Sequence, residues 1–236
     1  MTSAWLPDHV RFTFFFDRPV NAEAVDWFKK VVGVDPETST SRPSVGERLD
    51  TAVAGGLKVS LQIALNVAHW IVQAASGTPV GDLDAFAAIA PAFADKLRAW
   101  SDVVTGINRV ALGANLYLPA ESAEAGYAKL QEFLPKLNLE YPKIRDFDLA
   151  VNIPAKSAVR PDMELNALTR WSCVQFYMMA QVGGTVQNAA LSHYCKVDMD
   201  ISSPVSSDLL SSSERMAIIG ELIALVNERA AKGVKW

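Results

Sequence analysis

Between residues 57 and 65 the chain alternates strictly: Leu57, Val59, Leu61, Ile63 and Leu65 fall on one side, Lys58, Ser60 and Gln62 on the other. A period of two belongs to a strand with one buried face. Val67 to Ala75, rich in Trp70, Ile71 and Val72, reads as a second strand after a turn or bulge near Asn66, with one long bent strand as the competing reading. Val10 to Phe16 is a third, ending at Asp17-Arg18-Pro19. Phe12, Phe14 and Phe16 share one of its faces and Phe15 takes the other. Such a strand is central and covered on each side, or it presents a surface to a partner. Ile107 to Leu118 places Val110, Leu112, Ala114, Leu116 and Leu118 on one face and is the fourth strand of this half.

Helical spacing separates these runs. Asn21 is positioned to cap a helix carrying Ala24, Val25, Trp27, Phe28, Val31 and Val32, which Gly33 ends. Asp82 or Asp84 begins another, with Leu83, Phe86, Ile89, Phe93, Leu97 and Trp100 on its apolar face; Pro91 is expected to kink or divide it. A helix from Ser122 to Leu134 opens the second half. Strands follow at Phe147 to Ile153, Arg170 to Val182 and Ser192 to Ile201, with Gly183-Gly184 as the turn between the last two. Ser211 and Glu214 have capping-box spacing ahead of the stripe Ile218, Ile219, Leu222, Ile223 and Val226. Asp35 to Gly56 is rich in Ser, Thr and Gly, holds Pro36 and Pro43, and keeps no period, so it reads as a surface loop that is mobile or functional.

These elements predict an α+β protein with an antiparallel sheet covered by helices. The first half, 1–118, has ferredoxin-like βαββαβ order; the second, 119–236, is helix, three-strand meander, helix. The halves are either two units or one continuous domain.

Composition narrows the picture. Half of the 236 residues are hydrophobic, enough for a sizeable core, and 22 basic against 26 acidic residues give a net charge of −4. That balance argues against nucleic acid as a partner, since phosphate recognition calls for clustered Lys and Arg. Lys58, Gln62, Asn66, His69 and Gln73 interrupt the most apolar stretch, so no membrane span is expected. The first ten residues lack a basic segment followed by an apolar run, and a cytoplasmic location is expected.

Candidate chemistry is sparse. His9, His69 and His193 belong to no zinc-ligand pattern, so no metal is expected. His193 and Cys195 share a strand face and have the spacing of a Cys–His nucleophile or of two metal ligands, although a packed imidazole beside a packed thiol is the simpler reading. Cys173 lies on another predicted strand; two buried thiols in a reducing compartment are the simpler reading, and a disulfide with Cys195 requires neighbouring strands in the right register, which the sequence leaves open. Asp198 and Asp200 share a face with Lys196, a pattern that suits Mg²⁺ or, more simply, a solvated strand face. Arg109 begins one strand and Arg170-Trp171 begins another; an Arg beside a Trp suits an anion or a stacked base, and structural pairing at a sheet edge competes. No phosphate-binding glycine motif and no nucleophile elbow occurs. No catalytic residue or cofactor is assigned. The candidate ligand-binding residues are Arg109, His69, His193, Cys195, Asp198, Arg170 and Trp171.

Ile107-Asn108-Arg109-Val110 before a strand, Asn152-Ile153-Pro154 after one, Arg170-Trp171, and the Asp198 to Ser202 strand end ahead of a C-terminal helix cover about the last 60% of the chain. In these features the chain resembles a sporadically distributed, poorly characterised bacterial protein family. The resemblance implies bacterial origin and carries no activity. The expected function is therefore a non-enzymatic binding or regulatory protein that acts through its sheet or the 35–56 segment, with self-association or a protein partner. The alternative is a small-ligand-binding protein or enzyme with a pocket between sheet and helices. It requires at least three of His69, His193, Cys195, Asp198 and Arg109 to converge on one cavity.

Overall fold

The aromatic strand β1 (Leu6–Phe16) lies near the middle of one antiparallel sheet. The computed structural model describes residues 5–22, 25–75, 86–182 and 185–233, with backbone alone for 177–182 and 185–190. After β1 come α1 (Trp27–Val32), β2 (Thr38–Arg42), β3 (Glu47–Ala54), β4 (Leu57–Ala64), β5 (Val67–Ala74) and α2 (Phe86–Val103). The second half runs β6 (Ile107–Ala120), α3 (Ala123–Phe133), β7 (Asp148–Asn152), β8 (Ala155–Lys156), β9 (Glu164–Val182), β10 (Thr185–Ser202) and α4 (Ser212–Lys232). The sheet order is β2-β3-β4-β5-β1-β6-β10-β9-β7, and β8 adds a short pairing to β9.

That order corrects the ferredoxin-like expectation. Four strands, not two, separate α1 from α2, and they return as a meander that lays β5 beside β1. The additional strands come from the 35–56 stretch, which is not a loop: it forms β2, a 3₁₀ turn (Pro43–Val45) and β3. All five β2 residues are exposed, so their side chains show no apolar alternation; the backbone ladder to β3 makes the strand. Beneath it Asp50 is fully buried, accepts from Ser39 Oγ at 2.6 Å, and pairs with Arg48 at 2.9 Å. Arg48 also donates to the carbonyls of Ala22 and Val25, tying β3 to the segment that leads into α1.

Two helix expectations change as well. α1 starts at Trp27 behind Asp26, so Asn21 is not its cap, while Gly33 ends it at φ 86°. Pro91 does not divide α2, which continues from Phe86 to Val103. The predicted start of α2 at Asp82 or Asp84 and the Gly183-Gly184 turn lie outside the described residues. The capping box of α4 is formed as expected.

Divided ahead of β6, which then opens the second half instead of closing the first as the sequence pattern predicts, the two halves share a plan: a long strand, a helix, an antiparallel set of strands, then a longer helix. β1 and β6 pair antiparallel at the junction, with Phe12 opposite Leu112, and β5-β4-β3 extend from one as β10-β9-β7 extend from the other. α1 to α4 pack on one face of this sheet. Phe14, Trp27, Trp70 and Trp100 form an edge-to-face cluster under α1 and α2, and Trp171, Phe133 and Trp5 form a second under α3 and α4. α4 carries two buried arginines that donate to backbone carbonyls, and Arg229 donates to Thr169 Oγ1 as well, at 2.7 Å. Arg215 donates to Ser101 and Val104 O at the end of α2, where carbonyls lack helical partners, and Arg229 donates to Ala167 and Ile153 O. No described helix covers the opposite face, and none is long and apolar enough to cross a membrane.

Candidate functional site

Because side chains alternate along a strand, the candidate residues divide between the two faces of the sheet. The helix-free face carries His69, Arg109, Asp198 and Arg170. In register, His69, Thr13, Ala111 and Ser202 form one row across β5-β1-β6-β10, and Ile71, Arg11, Gly113 and Asp200 the next. His69 Nδ1 is 2.9 Å from Thr13 Oγ1, and burial together with the Arg11 charge lowers its pKa. Arg109 donates to Ser202 Oγ at 2.9 Å and lies 4.6 Å above the Phe15 ring, so Phe15 is covered by a cation and not by a helix. Arg11 lies across Gly113, where a Cβ would stand 3.2 Å from its Nη2, and reaches Asp200 at 3.8 Å.

Every charge named in the sequence pattern on this face has a partner. Asp198 pairs with Lys196 at 2.9 Å, and Arg170 pairs with Asp148 on β7, whose carboxyl that hydrogen bond holds below the usual range. Asp198 and Asp200 therefore answer separate cations instead of sharing one site. Among the described residues no group of three or more His, Cys, Asp or Glu has metal-holding geometry. Trp171, one residue from Arg170, points the other way: it is fully buried and stacks on Phe133 at 5.4 Å. Arg170 and Trp171 thus form no joint anion or base site.

His193 and Cys195 lie on the helix side, and there the sheet, α3 and the 134–147 connection enclose a cleft of about 390 Å³. Register builds its floor: His193 stands opposite Gln175, and Cys195 opposite Cys173. His193 Nδ1 is buried and has no hydrogen-bond partner among the described residues. Cys195, fully buried, donates to Gly126 O at 3.0 Å, so His193 does not hold its thiol. A Cβ at Gly126 would stand in ordinary van der Waals contact with Cys173 Sγ, at 3.7 Å, so this turn of α3 lies directly over the cysteine pair. One wall is aromatic, with the Tyr127 and Tyr141 rings 5.5 Å apart. Tyr127 accepts from Phe147 N at 3.2 Å, and burial raises its pKa. At the rim are exposed Arg145, which makes no hydrogen bond or ion pair among the described residues, and Asp146, a non-glycine residue at φ 53°.

The enzyme reading required at least three of its five residues in one cavity, and this cleft does not bring three of them together. His193 lines the cleft and Cys195 lies against its floor, while His69, Arg109 and Asp198 occupy the opposite face. The cleft residues missed in the sequence are Tyr127, Tyr141, Arg145 and Gln175. Only the strand register that puts Gln175 beside His193, and the path of residues 134–147, which follows no period, reveal them. No protein-family model matches the chain, and no curated protein matches it.

Proposed function

We propose that this is a binding protein whose ligand is a small organic acid taken up in the cleft between α3, the 134–147 connection and the β9–β10 floor. One observation carries the reading: the cleft is lined by a buried His193 Nδ1 without a partner and, at its rim, by an Arg145 guanidinium without a counterion among the described residues. A buried polar atom left unpaired costs about 1–3 kcal/mol, and a ligand that supplies its partner recovers that cost. The volume suits a small molecule, the Tyr127 and Tyr141 rings offer planar contact, and Arg145 supplies the charge that selects a carboxylate. Binding without turnover is favoured because the Cys195 thiol is engaged by Gly126 O, leaving no nucleophile activated by His193.

The test is native mass spectrometry of the protein purified from its own host, followed by thermal-shift titration with a panel of small carboxylic acids. A retained acid whose affinity falls about tenfold or more in both His193→Ala and Arg145→Ala supports the reading. A protein without bound ligand, with no acid in the panel raising its melting temperature, would sink it.

A second reading, association through the sheet, is supported by β2. Its outer edge has no partner strand among the described residues and all its side chains are exposed, so a second copy can extend the ladder. Light scattering on the wild type and on Thr40→Pro separates the cases: a dimer that the proline abolishes favours edge pairing, and a monomer in both removes it. The bacterial origin implied by the resemblance fits either reading.

A further inference from the structure

The chain contains two cysteines, and the fold places them directly opposite each other on neighbouring antiparallel strands, Cys173 on β9 and Cys195 on β10. We propose that Cys173 and Cys195 are a reversible modification site, a dithiol that peroxide converts to a cross-strand disulfide. The inference stands independently of the organic-acid reading, because it concerns the thiols and not the polar groups of the cleft.

Three observations carry it. Directly opposed residues of an antiparallel pair have Cα atoms about 4.5 or 5.5 Å apart, and a disulfide spans about 4.4–6.8 Å, so the register alone brings the pair within bonding range. Both side chains lie on the helix side: Cys195 donates to Gly126 O, and Cys173 Sγ faces the same glycine. Finally, the two thiols differ in access. Cys173 is partly exposed and lines the cleft, where a molecule as small as hydrogen peroxide can reach it, whereas Cys195 is sealed beneath. This is the arrangement of an attacked thiol with a resolving thiol at its back.

In the first step the Cys173 sulfur attacks hydrogen peroxide: an S–O bond forms, the O–O bond breaks, and the thiol proton leaves with the departing hydroxide as water. In the second, the Cys195 sulfur attacks the resulting sulfenic acid: the S–S bond forms, the S–O bond breaks, and hydroxide leaves with the second thiol proton as water. Two thiols are oxidised to one disulfide, and one peroxide is reduced to two waters. The hydrogen bond that Cys173 donates to Cys195, together with burial, holds the Cys173 thiol well above its ordinary pKa, so the first step is slow at neutral pH. The bond that forms clamps β9 to β10 in the cleft floor, two residues along each strand from His193 and Gln175.

The test uses the full chain, purified reduced and exposed to increasing hydrogen peroxide, with intact mass and free thiols read after denaturation. The expected result is the concerted loss of both thiols in a monomer lighter by two hydrogens, reversed by dithiothreitol. Cys195→Ser, which lacks the resolving thiol, is expected to stop at a Cys173 sulfenic acid that dimedone traps. Three wild-type outcomes would each overturn the proposal: addition of oxygen without a disulfide, a disulfide between two chains, or thiols that both survive prolonged incubation with excess peroxide at alkaline pH, where the slow first step is accelerated. All three are read on the wild type, so the proposal stands or falls whether or not the variant folds.

Discussion

His69 illustrates how a single side chain couples the fold to pH. Its Nδ1 meets Thr13 Oγ1, while burial and the neighbouring Arg11 both disfavour the imidazolium, so its folded pKa lies below the ordinary 6.5. The unfolded chain binds this proton more readily than the folded one. The group's contribution is therefore intact above the unfolded value and is lost as pH falls from about 6.5 toward the folded pKa. His69→Gln keeps a hydrogen-bonding group beside Thr13 and removes the titration. Its urea midpoint is expected to fall less than that of the wild type between about pH 7.5 and about pH 5; parallel pH profiles would show that His69 is not the coupled group. Single-residue information was legible only in part. Alternation correctly puts His193 with Cys195, and Asp198 with Asp200, but which strand lies alongside is a property of register. The pairings of Arg170 with Asp148 and of Cys173 with Cys195 both depend on it.

At the scale of elements, the hairpin joining β4 to β5 carries a local strain. Ala64 pairs with Val67, leaving Leu65 and Asn66 as a two-residue turn, and Leu65 takes φ 52° although its side chain is largely exposed. A left-handed backbone costs a branched residue about 1 kcal/mol, whereas Asn tolerates it through local hydrogen bonding. The hydrogen bonds that tie Leu65 to other segments are backbone bonds, from Val20 N to Leu65 O and from Leu65 N to Gly46 O, which a substitution leaves in place. Leu65→Asn is expected to stabilise the protein by about 0.5–1 kcal/mol in urea unfolding with an unchanged m-value; a loss of stability would mean that the leucine side chain holds the hairpin against the Gly46 turn. The same hairpin was legible because its strands alternate cleanly and Asn66 marks the turn. β2 and β3 were not. β2 is polar on both faces, and the anchor of β3 is a buried carboxylate, so hydropathy sees neither strand. α4 was the clearest element, since a capping box and an apolar stripe are both local signals.

At the scale of the whole molecule, the repeat of strand, helix, meander and helix has no counterpart in a repeated sequence, because topology constrains which strands meet and not which residues meet there. β1 and β6 are the seam: each belongs to a different half, and their pairing joins the two plans into one sheet. The core crosses the seam, since Phe12, Phe14, Val110, Leu112 and Leu116 belong to one buried cluster, and Arg215 of α4 closes the end of α2. Separating the halves exposes the edges of two long central strands and leaves the Ser101 and Val104 carbonyls without their guanidinium. Neither half is therefore expected to fold alone. Fragments 1–105 and 106–236 are expected to be unstructured or aggregated when expressed singly, and to recover native far-UV and near-UV circular dichroism when refolded together. In the intact chain, tryptophan fluorescence and far-UV signals are expected to lose structure in one coincident transition, because Trp70 and Trp100 sit in one half and Trp171 in the other. Two separated transitions, or a fragment that unfolds cooperatively on its own, would place the unit of stability at the half and make the seam a docking surface between two independently folded domains.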